Sequence, residues 1–103
     1  MLEKRNFYIN GSWVAPKKSS DIEVINPATE KACAVISLGS NDDINDAVLS
    51  AKEAFKTWGY STREDRIALL ETFYTLYKKR WNDITDAIIQ EMGAPRDFAS
   101  KLQ

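Results

Sequence analysis

The chain has 103 residues, 44% of them apolar and 28% charged, with 14 basic side chains set against 15 acidic ones. This balance describes one ordinary globular domain or part of one; it disfavours disorder, a membrane span and the broad positive field that nucleic acid requires. One cysteine and no histidine exclude an internal disulfide and leave zinc sites and imidazole-based catalysis without their ligands.

Met1 to Asn10 mixes charges with single apolar residues and lacks the apolar stretch of a signal peptide, so a cytoplasmic protein is expected. Phe7-Tyr8-Ile9 and Trp13-Val14 flank Asn10-Gly11-Ser12. Asn-Gly tolerates positive φ at both positions, which predicts a tight β-hairpin. The same triplet fits a glycosylation acceptor, but a turn explains it better in a chain that is not secreted. After a polar loop from Pro16 to Ser20, Ile22, Val24 and Ile25 predict a second strand that stops at Asn26-Pro27, because proline has no amide to continue a ladder. Thr29-Glu30-Lys31 completes the turn, and Ala32 to Leu38 predicts a third strand with Cys33, Val35 and Ser37 on one face and Ala34, Ile36 and Leu38 on the other. The hairpin region thus covers residues 7–38.

From Ser40 the apolar period lengthens. Ser40 or Asn41 can cap a helix, Asp42 and Asp43 suit its positive end, and Ile44, Ala47, Val48, Ala51, Phe55 and Trp58 recur at three and four residues. Gly59 ends this helix, and Ser61-Thr62-Arg63-Glu64 reads as a capping box for the next, with Ser61 and Glu64 as its two partners. The second helix carries Ile67, Leu70, Phe73, Tyr74, Tyr77 and Trp81 on one stripe. Asn82-Asp83 reads as a fresh cap for a third, with Ile84, Ala87, Ile88 and Met92 on its apolar face and Gly93 and Pro95 as stop signals. The expected helices span about 41–58, 62–81 and 83–92, and Pro95 can open a further one over Arg96 to Gln103.

Little here is chemistry. Cys33 lies in a strand without a neighbouring cation or histidine to form a thiolate, and reads as a small buried hydrophobe. The carboxylate pairs Asp42-Asp43 and Glu64-Asp65 fall in first helical turns, where the dipole already accounts for them. Lys78-Lys79-Arg80 closes a helix in the complementary way. The four glycines are isolated, so no phosphate cradle is visible. Three short strands cannot hide the aromatic surface of Trp58, Phe73, Tyr74, Tyr77 and Trp81, and such a patch marks an interface. By these signs the chain is an α+β piece, two short β-hairpins followed by a helical hairpin or bundle, with a partner surface.

The order of "FYINGSWV", "EVINPATEKACAVISLGS", the helix end "AKEAFKTW" and "EMGAP" closely resembles the start of the aldehyde dehydrogenase superfamily, from Phe7 to Pro95. Ala94 stands where many relatives carry lysine. The resemblance implies the N-terminal part of the cofactor-binding domain of an α/β enzyme, incomplete over residues 1–103 and packing on a missing Rossmann-like domain. It implies a parent that oxidises an aldehyde to a carboxylic acid with NAD or NADP. The family's nucleophilic cysteine, general-base glutamate, oxyanion asparagine and glycine-rich turn would lie beyond Gln103, so this chain is expected to bind no cofactor and to be inactive. Cys33 does not match the catalytic motif. The resemblance also implies a structural monovalent cation at the Ile25 carbonyl and the Glu91 carboxylate, both oxygen donors suited to a hard ion. The expected partners are the remainder of the parent enzyme or another subunit, with self-association through uncovered strand edges or an exchanged helix. Two rival readings are a stand-alone interaction module that binds through its aromatic helical face and a small free-standing enzyme that uses Cys33.

Overall fold

The computed structural model describes Met1–Lys101; the last part of the expected fourth helix, Leu102 and Gln103, lies outside the described residues. Among these, five strands precede four helices: β1 (Leu2–Lys4), β2 (Phe7–Ile9), β3 (Ser12–Val14), β4 (Asp21–Asn26), β5 (Lys31–Ser37), α1 (Asn41–Trp58), α2 (Arg63–Lys79), α3 (Trp81–Met92) and α4 (Arg96–Lys101). The arrangement is α+β, as the pattern of periods predicts. It divides into two compact units, Met1–Val24 with Ala32–Tyr60, and Ile25–Lys31 with the chain from Ser61 onward. No helix among the described residues is long and apolar enough to cross a membrane.

In the first unit β2 and β3 form the expected hairpin, with Tyr8 opposite Trp13 and only Asn10-Gly11 between the strands. Both turn residues have positive φ, 52° and 78°, the requirement that selects Asn-Gly here. The paired rings of Tyr8 and Trp13 meet edge to face at 5.2 Å. The second sheet corrects the expectation of three strands in two hairpins. Its order is β1-β5-β4, and β1 pairs parallel to β5 with Leu2, Glu3 and Lys4 opposite Ala34, Val35 and Ile36. No local signal announces β1, because its partner lies more than thirty residues away and a parallel pair has no connecting turn. Val35 and Ser37 are buried while Ile36 remains exposed, so the sheet covers the face that also carries Cys33.

Helix α1 follows with Ser40 at its N-cap. The Ser40 hydroxyl and amide both donate to Asp43 Oδ2, at 2.7 and 2.8 Å, and close a capping box. Asp43 Oδ1 accepts in addition from the Lys17 amide at 2.9 Å, which fixes the loop before β4 to the helix start.

In the second unit the predicted box at Ser61 and Glu64 is displaced by one residue. Thr62 is the N-cap: its hydroxyl accepts from the Asp65 amide and its amide donates to Asp65 Oδ2, both at 3.1 Å. Ser-Thr-Arg-Glu-Asp satisfies the same pattern in two overlapping frames, and the helix takes the later one. A second correction concerns the next boundary. Asn82-Asp83 caps nothing; α3 starts at Trp81, and Arg80 alone separates it from α2, with no side-chain cap. Arg80 sits at φ −103° and ψ 13°, outside the helical well. Its amide still bonds back to Leu76 and Tyr77 while its carbonyl accepts from Ile84, so both helices share one hinge residue. Gly93 ends α3 at φ 67°, a left-handed cap that glycine adopts without strain. Helices α3 and α4 hold the small core of this unit, where Thr85 and Ala99 are buried and Trp81 Nε1 donates to Ser100 Oγ at 3.3 Å. Pro95 stands just before α4 and not inside it, its carbonyl accepting from the Ala99 amide.

Candidate functional site

Among the described residues only Val35 and Ala99 are buried apolar side chains. The surface is correspondingly apolar. Helix α2 buries no residue; Leu70, Phe73 and Tyr74 are 64%, 63% and 58% exposed on it. The stripe read from the sequence is real as geometry, with Phe73 to Tyr77 at 6.2 Å and Tyr77 to Trp81 at 5.7 Å, the latter nearly perpendicular. Lys78 extends over the Tyr74 ring at 4.5 Å, so one member of the basic run covers aromatic surface. Apolar area left in water on this scale is what an interface covers.

Cys33, Asp43 and Asp65 are dispersed along the chain and engaged in structure. Cys33 is half-buried in mid-strand, and its thiol donates to the Val24 carbonyl at 3.3 Å. Asp43 is held below the ordinary aspartate range chiefly by the Ser40 hydroxyl, then by the amides of Ser40 and Lys17. Asp65 is lowered in the same manner by Thr62. These two carboxylates are the caps of α1 and α2, while their neighbours Asp42 and Glu64 stand exposed in the same first turns. One member of each pair is thus committed to a helix cap. Sequence reasoning passed over Asp21, which accepts from Arg5 Nε at 2.7 Å and from Ser37 Oγ at 2.9 Å and is lowered first by the Arg5 contact. Its partners lie sixteen residues away on either side, beyond any local signal.

The two residues expected to hold a cation lie in the second unit. Ile25 is the penultimate residue of β4, and Glu91 is exposed near the end of α3. Asn26 builds the turn that follows: its side-chain oxygen accepts from the Ala28 amide at 2.9 Å and its carbonyl from the Glu30 amide at 2.8 Å. A Cβ built on Gly93 would stand 3.0 Å from Pro27 Cγ, so the end of α3 meets this turn closely. Glu91 makes no hydrogen bond or ion pair among the described residues. No group of three or more acidic, cysteine or histidine side chains gathers there or elsewhere among the described residues.

The model of the aldehyde dehydrogenase family matches residues 13–103, and the chain belongs to that family. It is 43% identical over 95 residues to a 3-succinoylsemialdehyde-pyridine dehydrogenase of a Pseudomonas species, an alignment that takes in 92% of this chain and 20% of that protein. An aldehyde dehydrogenase from Bartonella henselae, known as a crystal structure, superposes with a TM-score of 0.96 at 48% identity, over 98% of this chain and 21% of its own. A variant of aldehyde dehydrogenase C from Pseudomonas syringae, crystallised with NAD+ and octanal, superposes at 0.91 with 36% identity, over 93% of this chain and 20% of its own. The chain thus spans about a fifth of the length of these relatives. They lend no support to a separate interaction module.

Proposed function

We propose that this chain is the N-terminal scaffold portion of an NAD(P)-dependent aldehyde dehydrogenase and performs no turnover by itself. The observation that carries the reading is the superposition along 98% of the chain onto 21% of a dehydrogenase. The composition agrees, since the chain has no histidine and its one thiol is bonded to a strand carbonyl. The NAD+ and octanal held by the Pseudomonas syringae relative support an aldehyde and a nicotinamide cofactor as the substrates of the whole enzyme. When bound, the cofactor supplies the hydride acceptor. The residues described here contribute folded surface: the α2 stripe and the sheet edges dock the remaining chain or another subunit.

The decisive assay measures NAD and NADP reduction over a panel of aldehydes, on this chain and on the same gene extended past Gln103. Activity confined to the extended chain is expected. Turnover by the 103-residue chain, lost in Cys33→Ser, would overturn the proposal in favour of the free-standing enzyme.

Within that enzyme the Ile25 carbonyl and the Glu91 carboxylate contribute to a structural monovalent cation site. The unengaged carboxylate supports this, as does the packing of Gly93 on the turn after Ile25. Further ligands have to come from other carbonyls, from water or from the rest of the enzyme. Replacing sodium or potassium with a bulky organic cation should lower the melting temperature of the extended enzyme, and Glu91→Gln should abolish that difference. An equal difference in the variant removes Glu91 from the site.

A further inference from the structure

Strand β1 has little to hold it in place. It is three residues long, all three are exposed, and it pairs in the parallel mode, the less stable per residue. Leu2, its one apolar side chain, is itself exposed. The tie lies just beyond the strand. Arg5 Nε donates to Asp21 Oδ2 at 2.7 Å at the start of β4, and Arg5 Nη1 reaches Glu3 at 2.6 Å. The second oxygen of Asp21 accepts from Ser37 Oγ at 2.9 Å, at the buried end of β5. One carboxylate therefore links the exit of β1, the start of β4 and the end of β5, across a sheet whose order is β1-β5-β4.

We propose that β1 is a detachable strap closed by the Asp21 clasp, and that opening the clasp frees the β5 edge without unfolding the rest of the unit. The argument is one of disparity. Central β5 is fixed by Val35, Ser37 and its second neighbour β4, whereas β1 depends on three residues of ladder and one shared carboxylate. Elements with few buried contacts open at lower free energy than the core they border. A freed edge of backbone amides and carbonyls is a template for another strand, so the strap also protects the sheet from unwanted pairing.

The test is residue-resolved amide hydrogen exchange on the chain and on Asp21→Asn, which keeps an acceptor for Ser37 but loses the charge that holds Arg5. The amides of the β1–β5 ladder should exchange about threefold faster or more, a factor suited to a partly exposed ion pair, while α1 amides keep their rates. Arg5→Gln should give the same pattern, and the double variant should exchange no faster than either single one. Ladder rates equal to those of the unsubstituted chain, an acceleration shared by α1, or additive effects of the two substitutions would each overturn the proposal.

Discussion

Removing the hydroxyl of Thr62 and removing that of Ser61 should have opposite consequences, although the two residues are neighbours and both match a capping pattern. Thr62 has extended backbone angles, φ −70° and ψ 163°, and its oxygen satisfies the Asp65 amide at 3.1 Å. Thr62→Ala leaves that amide to water and should destabilise α2 by about 1 kcal/mol, towards the lower half of the range for lost caps because the site is exposed. At the specific entropy of a chain near this size, that is a fall of about 4–8 °C in melting temperature. The Ser61 hydroxyl is buried and has no hydrogen-bond partner among the described residues. Ser61→Ala relieves an unmade bond, so its effect should lie between zero and a gain of about 1 kcal/mol. Urea denaturation followed by helical circular dichroism measures both. A Ser61→Ala loss equal to or greater than that of Thr62→Ala would refute the assignment of the cap and restore the earlier frame.

Gly11→Ala meets nothing within 4 Å and should cost only its left-handed backbone strain, about 1 kcal/mol, whereas Gly93→Ala adds the 3.0 Å approach to Pro27 and should cost about 2–3 kcal/mol. Equal denaturation midpoints for the two variants would mean that the Pro27 contact contributes nothing. Asp21, Asp43 and Asp65 all titrate below the ordinary aspartate value of 3.8 in the folded chain. Their contribution to stability is therefore complete above that value and is lost as pH falls through the lowered ones; Asp43→Asn should flatten the acid limb of a pH–stability curve, and an unchanged limb would count against the α1 capping box. The chain alone should bind an apolar dye and sediment with a concentration-dependent mass, since α2 buries none of its residues; a compact monomer at every concentration, dark to the dye, would contradict an uncovered docking face.

What could be read in advance follows from the range of the forces concerned. Asn10-Gly11 demands positive φ within two residues, and Ser40 finds its partner three residues on; both are decided locally and both are legible. The extent of α1, Asn41–Trp58, is bounded by the same kind of local chemistry. Strand β1 and the Asp21 clasp depend on residues brought together from far along the chain, and a sequence pattern carries no trace of them. The boundary at Arg80 escaped for another reason: Asn82 has the chemistry of a cap, yet Trp81 continues the helical packing against α4 through its bond to Ser100. Tertiary contact there overrides local preference. The proposed cation pair, Ile25 and Glu91, rests on family likeness, since a backbone carbonyl leaves no mark on composition.

The surplus of apolar surface among the described residues has a plain explanation. A chain near this length buries only about 60–65% of its unfolded surface even when its own elements are designed to cover one another. Here they are not: among the described residues β5 and α4 hold the buried apolar side chains Val35 and Ala99, and α2, with Leu70, Phe73 and Tyr74 exposed, buries no residue. Such a distribution destabilises an autonomous domain and suits one layer of a larger body, in which the remaining four-fifths of a relative's length would supply the opposing face. Catalysis demands convergence, with nucleophile, base and oxyanion donors held within hydrogen-bond reach of one point. Among the described residues Asp43 and Asp65 accept from backbone amides at helix starts, and Asp21 ties the Arg5 and Ser37 side chains at strand ends. The described residues supply shape: two capped helix starts, a glycine-closed α3 seated on the Asn26 turn, and exposed apolar faces.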